Sequence, residues 1–212
     1  MHAMNTAIHP TNVLLLLSPP SILKPKDPPK IMPRSYIKSI FHTGWALLVI
    51  LKLILWLRKK LIANFHYISD SLKDRSHAEL SELACKSGVK WVQLRVKNQS
   101  SLEWKKTAIE VQKICKNYEA TFIINDNVEL TKTLNADGVH LGKEDLSVFE
   151  ARSILGPNKI IGGSANTSED ILNLVKQQVD YIGLGPFKFT NTKKNLNPIL
   201  GQKKFEEIVK EA

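Results

Sequence analysis

Residues 121–145 read TFIINDNVELTKTLNADGVHLGKED. Two short apolar runs stand in this stretch. Phe122-Ile123-Ile124 ends in Asn125-Asp126, and Gly138-Val139-His140-Leu141 ends in Gly142, with Glu144-Asp145 just beyond. Residues 128–134 lie between them, long enough for about two helical turns at ~3.6 residues each. A strand, a short helix and a second strand imply parallel pairing, because parallel neighbours need a crossover. Both strands then finish at the same end of one sheet. Adjacent strands sit about 4.8 Å apart, so Asp126 and Asp145 can reach one hard cation. The same residues also suit a helix-capping Asp126 and a solvated loop acid at Asp145. This stretch alone leaves both readings open.

The pattern repeats on either side. Apolar strand-like runs start near Phe65 (FHYIS), Trp91 (WVQLR), Phe122, Gly138, Ile160 (IIGGS) and Tyr181 (YIGLG). Helix-like segments alternate with them at 76–86, 101–118, 128–134, 147–155 and 168–179, and 203–212 reads as a sixth. Ser100 and Glu103 are spaced as a capping box, and Ser168 precedes early acids as a cap. Gly88 stands where a left-handed residue ends the first helix. Strict alternation with nearly continuous apolar strands indicates an α/β fold with a helix-covered parallel sheet. A barrel and a doubly wound sheet both fit.

The first 60 residues differ. Of the 212-residue chain's formal net charge of +10, they carry +8, leaving +2 for the rest. A basic chain usually suggests a nucleic-acid partner, but a nearly neutral globular part argues for none. Seven of the ten prolines precede Ser35, which disfavours a packed core there. Residues 44–57, GWALLVILKLILWL, are apolar but include Lys52. A spanning helix needs ~20 apolar residues, so this run suits a membrane-associated helix or an extension without bearing on the chemistry. Cys85 and Cys115 fall on predicted helices without metal-ligand spacing. They suit buried thiols of a cytoplasmic fold.

Polar groups gather at strand C-terminal ends. Alternation puts Gln93, Arg95 and Lys97 on one face of their strand. An amide, a guanidinium and an ammonium on one face call for an anion, with the guanidinium suited to bidentate phosphate contact. Ser164 follows Gly162-Gly163, where glycines permit close backbone approach. Gly183-Leu184-Gly185 is followed by Thr190, Thr192, Lys193 and Lys194. Hydroxyls and lysines after a glycine-bearing strand suit a phosphate or carboxylate. Neither cysteine has a placed base beside it.

WVQLRVK, FIINDN, ADGVHLGKEDL, IIGGSANT and DYIGLGPFKFTNTKKN resemble, in this order, the thiamine phosphate synthase family. The resemblance covers residues 65–201. It implies a (β/α)8 TIM barrel, with the sequence here stopping after the sixth strand–helix unit. Domains of 1–60, an extension, and 61–212, the barrel, follow. The implied reaction joins hydroxymethylpyrimidine diphosphate to thiazole phosphate and releases pyrophosphate, in thiamine biosynthesis. By the resemblance, Gln93, Arg95, Lys97 and Asn125 hold the pyrimidine diphosphate, and Asp126 and Asp145 bind Mg²⁺. Ser164 and Lys193 complete the pyrophosphate site, while Thr190 and Thr192 contact the thiazole. Arg95, Lys97 and Lys193 serve as the catalytic cations. The partners implied are small-molecule substrates. A related thiazole tautomerase shares the barrel but lacks the full Gln-Arg-Lys and paired-Asp set kept here. An inactive or membrane-tethered fragment of the barrel is the other alternative.

Overall fold

In the computed structural model, residues 16–17, 60–70, 74–189 and 198–211 are described. Thirteen elements follow in order: β1 (Leu16–Leu17), β2 (Tyr67–Ser69), α1 (His77–Lys86), β3 (Trp91–Leu94), α2 (Ser101–Asn117), β4 (Thr121–Asn125), α3 (Val128–Thr133), β5 (Gly138–Leu141), α4 (Val148–Leu155), β6 (Ile160–Ala165), α5 (Ser168–Lys176), β7 (Tyr181–Leu184) and α6 (Gly201–Glu211). The six strands from β2 to β7 are parallel and lie side by side in chain order. They form a curled half-barrel sheet rather than a doubly wound one, since no strand inserts out of sequence. All strand C-terminal ends therefore share one rim.

Six parallel strands alone would leave both edges open, and the sequence gives residues 1–60 no part in the sheet. The structure differs at one edge. Leu16 and Leu17 pair antiparallel with Gly183 and Ile182. This extension strand supplies backbone partners to β7, whose free N–H and C=O groups would otherwise face outward. Contacts group residues 1–19 with 62–212 in one unit, and 20–61 form a second. Residues 44–57 lie outside the described ones. Among the described residues, no helix is long and apolar enough to cross a membrane.

Helix starts follow the capping chemistry. Ser76, Ser100 and Ser147 each cap a helix with the glutamate three residues on, completing reciprocal boxes. Such a cap contributes about 1 kcal/mol. At α5 the cap is Thr167, paired with Asp170, one residue before the expected Ser168. Thr167 presents its hydroxyl from extended backbone, so Ser168 becomes the first helical residue. Gly88 is left-handed at φ +94° after α1, as the spacing predicts.

Alternation along the strands separates two layers. Val92, Leu94, Phe122 and Ile124 pack outward with Cys85, Ala108, Val111 and Cys115 of α1 and α2. Both thiols are free and buried. On the concave side, Trp91, Ile123, Ile160 and Tyr181 make a separate cluster. Apolar residues close the bottom of this inner face, and its polar residues emerge at the rim.

Candidate functional site at the rim of the parallel sheet

Gln93 and Asn125 belong to the inner face of β3 and β4. Both are buried, and Gln93 Nε2 donates to Asn125 Oδ1 at 2.6 Å. Gln93 Oε1 is buried without a partner among the described residues. Such an acceptor costs free energy until something donates to it. Arg95 and Lys97 follow directly on the C-terminal end of β3, and both are half-buried. Ser69 Oγ accepts from Arg95 N at 3.3 Å and pins the strand exit.

Asp126 follows β4 in a left-handed conformation at φ +66°. Aspartate tolerates that region better than most residues. The kink lets Asp126 N donate to the His140 carbonyl of β5 at 2.8 Å. Asn127, not Asp126, caps α3 through Leu130 N, so Asp126 keeps its carboxylate for other work. Asp145 sits in the loop after β5, where its Oδ2 accepts from Gly142 N at 2.6 Å. The two carboxyl groups come within hydrogen-bonding reach of each other. Partial loss of water and the Asp145 carboxylate together push the Asp126 pKa up to about 6, against relief from Asn125 and Arg95. Two acids that resist joint ionisation invite a cation between them.

Ser164, the penultimate residue of β6, lies on the same rim. His140, to which the sequence pattern assigns no role, lies below it with Nε2 2.9 Å from Ser164 Oγ. The other ring nitrogen, Nδ1, meets the Tyr181 hydroxyl at 3.1 Å. The signal for His140 was its place in the alternation, two residues before Gly142 on the inner face of β5. Asn166, also unassigned from sequence, is buried and donates to the carbonyls of Gly185 and Pro198 at 2.9 and 3.0 Å. It thereby ties the two ends of the segment that carries Thr190, Thr192 and Lys193. Those three residues lie outside the described ones. A groove of about 560 Å³ lined by Gln112, Lys116, Phe122 and Asp137 opens near the starts of β4 and β5, at the opposite end from this chemistry.

The structure thus gathers Gln93, Arg95, Asn125, Asp126, Asp145 and Ser164 at one rim, with Lys97 beyond Arg95. Ligands in sheets of this kind bind where the strands end. The fold and rim define an α/β half-barrel protein with hard oxygen donors and cationic groups at the strand C-termini. Comparison with known proteins narrows this class. The family model for thiamine monophosphate synthase matches residues 65–212. A thiamine-phosphate synthase from Flavobacterium johnsoniae is 50% identical over 146 residues, covering 69% of this chain and 69% of that protein. One from Phocaeicola vulgatus is 49% identical over 146 residues, covering 69% and 70%. The solved thiamine phosphate pyrophosphorylase from Pyrococcus furiosus superposes with a TM-score of 0.61 at 29% identity, over 74% of this chain and 73% of that one. The chain belongs to the thiamine monophosphate synthase family.

Proposed function

We propose that the chain acts as a thiamine-phosphate synthase whose rim holds the diphosphate of hydroxymethylpyrimidine diphosphate. One observation carries this reading: an amide, a guanidinium, a serine hydroxyl and two mutually repelling carboxylates stand where parallel strands end. On this reading the sheet corresponds to the first six strands of a (β/α)8 barrel.

Gln93 orients the pyrimidine. Its unpartnered Oε1 accepts from an exocyclic amino group, which removes the cost of a buried bare acceptor. Asn125 holds the Gln93 amide in that orientation. Arg95 and Lys97 neutralise the diphosphate, Arg95 through paired N–H donors. Lys193 is assigned beside them, and Thr190 and Thr192 to the thiazole phosphate, by the family resemblance alone.

The donor set at Asp126 and Asp145 fits Mg²⁺. Both ligands are hard oxygens, and Mg²⁺ is typically held by one or two carboxylates plus water and substrate phosphates. When bound, Mg²⁺ supplies positive charge against the leaving pyrophosphate. The chain's own cations do the same as the methylene C–O bond breaks and its electron pair leaves with pyrophosphate. The aminopyrimidine spreads the resulting positive charge, and the thiazole nitrogen supplies the pair for the new C–N bond. Proximity and charge then suffice, without a protein nucleophile.

The test is thiamine phosphate formation by the full chain from both substrates with Mg²⁺. Turnover that falls on Arg95→Ala supports the assignment. Turnover indifferent to Arg95, Asp126 and Asp145 would remove its basis.

A further inference from the structure

Tyr181 is the one hydroxyl-bearing residue of the inner apolar cluster. It is 0% exposed. Its ring meets Trp91 edge-on at 5.5 Å and His66 at 5.1 Å. Gly162 on β6 makes room for it. A Cβ there would lie 2.1 Å from Tyr181 Cζ and 2.5 Å from the hydroxyl oxygen. The phenol is therefore held on several sides, and its hydroxyl has one partner among the described residues, His140 Nδ1.

This fixes the direction of a proton chain. A buried O–H without an acceptor costs the desolvation of that group with nothing in return. Burial also raises the Tyr181 pKa, so the phenol keeps its proton and remains a donor. Nδ1 must then accept, and a neutral imidazole that accepts at Nδ1 carries its proton on Nε2. Nε2–H points at Ser164 Oγ, 2.9 Å away. A serine oxygen already receiving a proton from below is free to turn its own proton outward.

We propose that Tyr181 and His140 are positioning residues that lock Ser164 as a hydrogen-bond donor toward a pyrophosphate oxygen. Tyr181 O–H donates to His140 Nδ1, His140 Nε2–H donates to Ser164 Oγ, and Ser164 Oγ–H donates to the anion. In the opposite tautomer, Ser164 would spend its proton on Nε2 and present lone pairs to a negatively charged ligand. The relay rests on the assignment of Ser164 to the pyrophosphate site. It extends that site two residues downward, to a tyrosine that never touches substrate.

The experiment uses the full chain labelled with ¹⁵N. Long-range ¹H–¹⁵N spectra report which ring nitrogen of His140 is protonated, with His140→Gln identifying the signal. Calorimetry with inorganic pyrophosphate and Mg²⁺ reports the anion site. The wild-type protein is expected to show Nε2 protonated and Nδ1 bare. Tyr181→Phe removes only the hydroxyl, and should shift His140 toward the Nδ1–H form and weaken pyrophosphate about tenfold, the scale of one anion-facing hydrogen bond. Gly162→Ala, which displaces the ring while leaving the hydroxyl on it, should shift the tautomer the same way. In a Ser164→Ala background, Tyr181→Phe should have no further effect on affinity. A wild-type Nδ1–H signature overturns the relay, as does Tyr181→Phe with unchanged tautomer and affinity. Ser164→Ala binding pyrophosphate like the wild type, with the His140 signature as expected, instead overturns the phosphate role of Ser164 and with it the purpose of the relay.

Discussion

Gln93 Nε2 donates to Asn125 Oδ1 at 2.6 Å across β3 and β4, with both side chains buried. The bond couples the two residues energetically. Gln93→Ala leaves a buried Asn125 oxygen bare, and Asn125→Ala frees the Gln93 amide to turn. Each single change should lower kcat/KM about tenfold, the order of one buried hydrogen bond plus its abandoned partner. The double variant should lose less than the two singles combined. Strict additivity in a double-mutant cycle would show that the pair does not act as a unit.

The carboxylate pair makes a pH prediction. The Asp126 pKa in the folded chain rises from 3.8 to about 6. A raised carboxyl pKa means that the folded state holds the proton more tightly than the unfolded state. This pair therefore weakens the metal-free fold above about pH 6, and that penalty fades as pH falls toward 4. Asp145→Asn should reduce this local gain on acidification and leave the part that burial of Asp126 causes. Mg²⁺ should bind progressively less well below about pH 6, since the ion competes with that proton. Denaturant midpoints and Mg²⁺ titrations at pH 7 and 5 check both, and pH-independent Mg²⁺ affinity would contradict the pairing.

His66 works in the opposite sense. It stacks on Trp91 at 3.9 Å and is 1% exposed. Burial is the main cause that lowers its pKa from 6.5 to about 3, with a smaller contribution from nearby His140 and an opposing one from Ala63. Its stabilising contribution is complete above 6.5 and is lost as pH falls through the range down to about 3. Each pH unit there costs up to about 1.4 kcal/mol. His66→Phe keeps the stack and should flatten this acid loss. An unchanged slope of stability against pH would place the acid sensitivity elsewhere.

Asn166 should matter to the segment it ties down rather than to chemistry. It bonds the carbonyls of Gly185 and Pro198. Asn166→Ala should raise KM for the thiazole phosphate several-fold and also weaken pyrophosphate, since Thr190 and Thr192 are assigned to the former and Lys193, on the same segment, to the latter. Wild-type values for both ligands would show that the tie does not hold the segment in place.

Much of this was legible in the chain. Gly138–Leu141 begins and ends where the apolar run does, because the glycine and the following Gly142 bound it. The parallel crossover between β4 and β5 followed from the length of the intervening segment. Gln93, Arg95 and Asp126 could be placed because alternation and strand ends are local properties. The His140–Tyr181 bond was not legible, because it joins residues 41 apart across β5 and β7, over Gly162 of the strand between. Nor was the pairing of Leu16–Leu17 with β7. A two-residue strand carries no periodicity, and its position depends on an edge built by residues far along the chain. Thr167 displaced Ser168 as the cap of α5 for a similar reason: two adjacent hydroxyls offer the same chemistry, and only backbone conformation chooses between them.

On the proposed function, this rim binds pyrophosphate through Arg95 and a cation held by Asp126 and Asp145. Calorimetric titration of the full chain with inorganic pyrophosphate, with and without Mg²⁺, tests it most directly. Binding should require Mg²⁺, weaken at least tenfold in Arg95→Ala, as a lost bidentate charged contact should, and lose its Mg²⁺ dependence in Asp126→Asn. Pyrophosphate binding that is equally tight without Mg²⁺ and unchanged by both substitutions would contradict it.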